Sequence, residues 1–217
     1  MTNSYDAQNL CRRFSAFIQH VARLSRAYLG ASARSVLGVD VSGEAIEYAR
    51  ARYGGGNVEF AVGDLQQLER GDAEFDAVVA FEVIEHLPHP DRFVAEARRV
   101  LKADGVLVVS TPRVEQGDER PENPFHEHEF ARDEFERLLR RSFGSVDVYG
   151  QRREQTARHR VLQRLDVLGL RRRLPFLRRA SRLVTGTAPM DAIRSEGVVI
   201  SSDGVDEATE LVAVCRP

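Results

Sequence analysis

Tryptophan is absent from this chain of 217 residues, and cysteine and methionine occur only twice each. Cys11 and Cys215 lie near opposite ends, with neither CxxC nor metal-site spacing. That usage argues against a disulfide framework and for free thiols in a reducing, cytoplasmic setting. No stretch approaches the roughly 18 apolar residues of a membrane span, and the first residues carry no signal-type apolar core. A net charge is nearly missing too: 31 Lys plus Arg face 33 Asp plus Glu, so no general attraction to nucleic acid follows. There is no glycine loop of phosphate-cradling type, which disfavours nucleotide-binding readings built on one.

What is present is patterned. From about Asp6 to Leu29, apolar residues recur every three or four positions, as on an amphipathic helix. Short β-rich runs then alternate with helical ones. Strands are predicted over Ser35–Val41, Val58–Val62, Phe75–Phe81, Val106–Ser110, Ser145–Tyr149 and Glu210–Cys215. Helices are predicted over about Glu44–Tyr53, capped by Ser42, then Pro90–Leu101 and Ala131–Arg141. Alternation at this spacing predicts an α/β domain spanning residues 1–217, with parallel βαβ units. Residues 1–34 form an N-terminal helical segment, and residues 152–195 an arginine-rich helical insertion. Between Arg152 and Arg182, eleven arginines are opposed only by Glu154 and Asp166, interleaved with leucines. Such a stretch suits either a solvated basic face packed on the sheet or a surface for anionic or lipid-linked ligands, including peripheral membrane contact. Its scarcity of aromatics disfavours nucleic acid.

Polar groups collect where strands end. In open α/β sheets that edge is where ligands bind. Phe75–Phe81 delivers Glu82, Glu85 and His86, while the strands ending at Val41 and Val62 deliver Asp40 and Asp64.

The pieces GVDVS (Gly38–Ser42), VGD (Val62–Asp64), FDAVVAFEVIEHL (Phe75–Leu87), RRVLKADGVLVVSTP (Arg98–Pro112) and NPFHEHEF (Asn123–Phe130) together resemble the class I S-adenosylmethionine-dependent methyltransferases. The resemblance implies a Rossmann-like three-layer sandwich with a mostly parallel central sheet. It also implies S-adenosylmethionine as cofactor and a small-molecule methyl acceptor, with a sugar or lipid-linked glycan as the expected class. It assigns the ribose hydroxyls to Asp40 beside Val41, and the adenine amine to Asp64 beside Leu65. Phe81 and Glu82 line the pocket, and His86 is the candidate general base.

The glycine-rich motif that ends the family's first strand has no counterpart upstream of Ser35. The sheet is therefore expected to lack that strand, at its centre, between those ending at Asp40 and Phe81. A degenerate, non-catalytic binding or scaffold protein is the alternative function. The ExxEH spacing of Glu82, Glu85 and His86 is similar to that of metal-using methyltransferases, which implies a site for Mg²⁺ or Mn²⁺ completed by His128, with His126 as the other candidate ligand. In metal-free relatives the same residues cap the turn or line the pocket.

Overall fold

The computed structural model describes residues 33–115, 123–153 and 198–217. The predicted N-terminal helix and the helices of the arginine-rich segment lie outside these residues.

Strand β1 (Val36–Asp40), helix α1 (Gly43–Tyr53) and strand β2 (Val58–Val62) form the first unit. Its local causes were readable. Ser42 caps α1, its Oγ accepting from the Ala45 N–H at 3.3 Å, while Asp40 Oδ1 accepts from the Ser42 N–H at 2.7 Å. Gly54 ends the helix where a Cβ would stand 2.6 Å from the Arg50 carbonyl oxygen. β1 and β2 pair in parallel, from Val36 opposite Val58 to Asp40 opposite Val62. A small core of Ala45, Ile46, Ala49, Val58 and Phe60 holds α1 on the two strands.

The second unit contains β3 (Phe75–Phe81), a 3₁₀ turn at Ile84–His86, α2 (Pro90–Val100), β4 (Leu101–Pro112), α3 (Arg132–Arg140), β5 (Ser145–Arg153), β6 (Val198–Ser201) and β7 (Glu210–Arg216). Its sheet runs in the order β3-β4-β7-β5-β6. β3 and β4 are parallel, and the remaining pairs are antiparallel. The α/β, Rossmann-like architecture is as expected, but the sheet is not mostly parallel as predicted: in the five-stranded sheet only β3–β4 is parallel, because β7 and β6 return beside β4 and β5 in the opposite direction. The main core buries Phe93, Val94 and Ala97 of α2 against Leu107 and Val109 of β4, with Phe135 and Leu139 of α3 in the same cluster.

Three boundaries differ from expectation. β4 begins at Leu101, not Val106, because Phe75 pairs with Leu101 and Ala77 with Val106, so residues 102–105 bulge within one continuous strand. β5 extends through Arg153, which removes Arg152 and Arg153 from the insertion predicted at 152–195. Arg152 Nη2 donates to the Asp203 carbonyl at 3.2 Å, tying it to the loop after β6. β6 itself was not foreseen.

Among the described residues, β1–β2 and the five-stranded sheet share no ladder. Their boundary falls where the sequence placed a missing central strand. Val79 on β3 is 37% exposed, and Val41 and Val62, at the carboxyl ends of β1 and β2, are 78% and 55% exposed. Apolar strand residues in a parallel arrangement are ordinarily covered on both faces. No helix of the described residues is long and apolar enough to cross a membrane.

Candidate active site

β3 ends in a strained step. Glu82 adopts φ of 53°, a left-handed conformation uncommon outside glycine, asparagine and aspartate. Two contacts hold it there: its N–H donates to the Ser110 carbonyl at 3.1 Å, and the Ser110 hydroxyl donates to Glu82 Oε1 at 2.7 Å. The chain then turns through Ile84–His86, anchored by the fully buried Ile84. Glu85 is buried as well, at 1% exposure, and the Thr111 hydroxyl donates to its Oε2 at 3.2 Å.

The loop after β4 closes over this turn. The N–H groups of Glu127 and His128 both donate to the Glu85 carbonyl, at 2.8 and 3.1 Å. His86 Nδ1 lies 2.6 Å from the Phe125 carbonyl, and a carbonyl can only accept, so Nδ1 carries the proton. Nε2 therefore presents its lone pair, 3.9 Å from Glu85 Oε1. Asn123 Oδ1 accepts from the Phe125 N–H at 3.1 Å, which fixes the amide so that Nδ2 donates to His126 Nε2 at 2.8 Å. His126 Nδ1–H accordingly donates to Glu129 Oε1 at 3.1 Å. The two imidazoles meet edge-on, with centroids 5.0 Å apart.

Burial sets the protonation states. It pushes the Glu85 carboxyl up to about 8, with the Glu82 charge adding to the effect. Glu82 is also raised by burial, against the Ser110 hydrogen bond that favours its charged form, and Glu210 raises it further. Burial lowers His86. Burial thus favours the neutral form of both the Glu85 carboxyl and the His86 imidazole.

Asp40 and Asp64 stand at neighbouring strand ends, because the parallel register continues into the Gly63 N–H donating to the Asp40 carbonyl at 3.0 Å. Asp40 is raised by burial, opposed by the Ser42 N–H. Asp64 is exposed, and its Oδ1 accepts from the Gln66 N–H at 2.8 Å. Leu65 packs onto the main core, and the His89 N–H donates to Gln66 Oε1 at 3.0 Å, so the loops after β2 and β3 touch. In each aspartate Oδ1 accepts from a backbone N–H two residues on. An open hollow lined by Arg50, Gly54, Val58 and Phe60 lies toward the other end of β2, away from these groups.

A family model described as a methyltransferase domain matches residues 20–109. A probable S-adenosylmethionine-dependent methyltransferase of Mycobacterium tuberculosis is 42% identical over 137 residues, covering 58% of this chain and 49% of that protein. These matches support a class I S-adenosylmethionine-dependent methyltransferase. The phthiotriol/phenolphthiotriol dimycocerosates methyltransferase 1 of Mycobacterium ulcerans is 31% identical over 153 residues, covering 69% of this chain and 51% of that protein. The chain spans about half the length of these curated relatives. A crystal structure from Thermotoga maritima, a possible histamine N-methyltransferase, shares the fold with a TM-score of 0.57 at 17% identity, over 96% of this chain and 94% of that one.

Of the predicted metal ligands, the structure groups Glu85 and His86 with His126, their ligand atoms all within 4.8 Å of one another. Glu82 and His128 are outside that group: Glu82 is tied to Ser110, and the His128 ring lies 6.0 Å from that of Phe130. Mg²⁺ and Mn²⁺ favour oxygen donors, and two imidazoles with one carboxylate do not suit Mg²⁺. Sequence reasoning missed Ser110 and Thr111, although the strand-end rule that singled out Glu82 applies equally to β4. It also missed Asn123 and Glu129, whose roles follow from loop geometry alone.

Proposed function

We propose that this chain binds S-adenosylmethionine at the carboxyl ends of β1, β2 and β3 and methylates an oxygen or nitrogen of a small molecule. The cofactor supplies, when bound, a sulfonium-activated methyl group for in-line displacement. Asp40 accepts the ribose hydroxyls, with Val41 beside them. Asp64 accepts from the adenine amine, and Leu65 flanks the ring. Phe81 and Glu82 line the pocket where β3 ends. The reading is carried by the two carboxylates at the neighbouring ends of β1 and β2, together with a His86 ring whose tautomer is set by the Phe125 carbonyl. At an oxygen acceptor, His86 Nε2 takes the hydroxyl proton as the methyl–oxygen bond forms, and S-adenosylhomocysteine leaves. Alignment of acceptor and methyl supplies most of the rate.

A lipid-linked or anionic acceptor is supported by the arginine–leucine stretch of the sequence and by the lipid substrate named for the Mycobacterium ulcerans relative. Calorimetric titration with S-adenosylhomocysteine tests the core of the reading. Micromolar binding that Asp40→Ala reduces at least tenfold is expected, about 1.4 kcal/mol or more. A cooperatively folded chain without detectable binding overturns it and leaves a methyltransferase-like binding protein.

A further inference from the structure

The tautomer of His86 is decided outside its own turn. Its Nδ1–H donates to the Phe125 carbonyl at 2.6 Å, and in a neutral imidazole the bond made at one ring nitrogen decides the form of the other. A backbone carbonyl can do this only if its peptide group is held in place. Asn123 holds the peptide groups on both sides of Phe125. The His126 N–H donates to the Asn123 carbonyl at 3.0 Å, closing a β-turn with asparagine at its first position and Pro124 at its second, where both residue types are favoured. Across the same turn, the Phe125 N–H donates to Asn123 Oδ1 at 3.1 Å.

Asn123 is itself oriented from behind. Its Nδ2 donates to His126 Nε2 at 2.8 Å, and that nitrogen accepts because the Nδ1–H of the same ring is committed to Glu129 Oε1 at 3.1 Å. Turning the amide end for end would set its NH₂ against the Phe125 N–H and its oxygen against the Nε2 lone pair. The His126 and Glu129 side chains are only 11% and 16% exposed, so water cannot readily replace their bond. The far end of the loop is fastened to the turn that carries His86 by the Glu127 and His128 N–H groups on the Glu85 carbonyl.

We propose that Asn123 is a positioning residue for proton transfer at His86: it holds the Phe125 carbonyl on Nδ1 and so keeps the lone pair on Nε2, with Glu129 anchoring Asn123 through His126. The inference rests on His86 acting as the base in methyl transfer. Without the Asn123 side chain the turn keeps only its backbone bond, and the carbonyl is held less firmly. The Nε2–H form then becomes populated, and it presents a donor where an acceptor hydroxyl needs a lone pair.

The test reads the tautomer directly, from proton–nitrogen correlation spectra of the imidazole rings in the full chain, at a pH where His86 is neutral. The His86 signals are identified by their loss in His86→Gln. The wild type should show a protonated Nδ1 and an unprotonated Nε2. Asn123→Ala should lower the ratio of the Nδ1–H to the Nε2–H form about two- to tenfold, the range that loss of one hydrogen bond gives. Asn123→Asp, which keeps an oxygen for the Phe125 N–H, should restore most of the wild-type ratio, and His89→Ala, in the neighbouring loop, should leave it unchanged. A wild-type ring in the Nε2–H form, or an unchanged ratio in Asn123→Ala, overturns the positioning role. If Asn123→Ala fails to fold, Asn123→Ser, whose hydroxyl holds the turn more weakly, should show a smaller shift in the same direction, and no shift overturns the role. These spectra need neither cofactor nor acceptor, so the hold on His86 fails on them alone, whereas the methyltransferase reading fails on missing S-adenosylhomocysteine binding.

Discussion

Gly38 sits in the middle of β1, the strand that ends in Asp40, and its missing side chain is filled by a neighbour. A Cβ there would stand 2.5 Å from Phe60 Cδ1 and 2.7 Å from Cε1, inside the body of the ring. Phe60 cannot easily retreat, because it is 8% exposed and belongs to a five-residue core with Ala45, Ile46, Ala49 and Val58. Two effects of Gly38→Ala compete. Alanine is better than glycine in a strand by about 0.5–1 kcal/mol, whereas overpacking of this kind costs about 1–3 kcal/mol. The clash involves two ring atoms and a small core with little room to absorb it, so a net loss of about 1–2 kcal/mol is expected by urea denaturation. Phe60→Leu removes the obstructing ring edge. In that background Gly38→Ala should cost less, giving a coupling energy of about 1 kcal/mol in a double-mutant cycle. Because β1 carries Asp40, affinity for S-adenosylhomocysteine should fall in Gly38→Ala and recover partly in the double variant. A Gly38→Ala chain as stable as wild type, with zero coupling to Phe60, would refute the packing argument.

Cys215 is fully buried, and burial pushes its thiol up to about 12, so in a Cys11→Ser chain it should resist aqueous thiol reagents until the fold opens; rapid native-state modification would contradict the burial. Glu96 is held below the usual carboxylate range chiefly by its Arg99 hydrogen bonds, so its contribution is present in full above 4.5 and fades as pH falls through the lowered folded value. Glu96→Gln should therefore cost about 1–2 kcal/mol near neutral pH and progressively less in acid, measured by denaturation across pH; a cost independent of pH would show that the charge is not what matters.

Elements with strong local signals were legible. The bounds of β2 and β3 coincide with the predicted runs, and α2 begins at Pro90 as proline at a first helical turn suggests. What escaped depends on pairing rather than on local sequence. Val198–Ser201 is four residues long and becomes a strand only by lying against Gly150–Arg153. The bulge in β4 is set by which residue of β3 each position meets. In the site, the spacing of Glu82, Glu85 and His86 was visible, but not the division of labour between the two glutamates. Ser110 draws Glu82 out of the cluster, and a left-handed backbone at a glutamate has no sequence signature. The choice between His126 and His128 was equally hidden. It is made by the Glu127 and His128 amides turning inward to the Glu85 carbonyl, while the His128 ring goes to Phe130.

The acids proposed for the cofactor and the imidazole proposed for the acceptor stand on different sheets. With no shared ladder among the described residues, their relative position rests on the loop after β2 and its grip on α2. That grip is polar and dense. The Leu68 N–H donates to Glu96 Oε1 at 2.7 Å, and Arg99 donates to the Leu68 and Arg70 carbonyls at 3.2 and 2.9 Å. The backbone joins in, with the Ala73 and Glu74 N–H groups donating to the carbonyls of Arg99 and Val100 at 3.0 and 2.8 Å. A shared ladder would fix two strands by a row of repeated bonds, whereas this seam concentrates the task on one helix end and the Glu96–Arg99 pair. Methyl transfer tolerates little misplacement between donor and acceptor. Substitutions in that pair should therefore disturb catalysis more than their distance from His86 suggests, while leaving each half's own core intact.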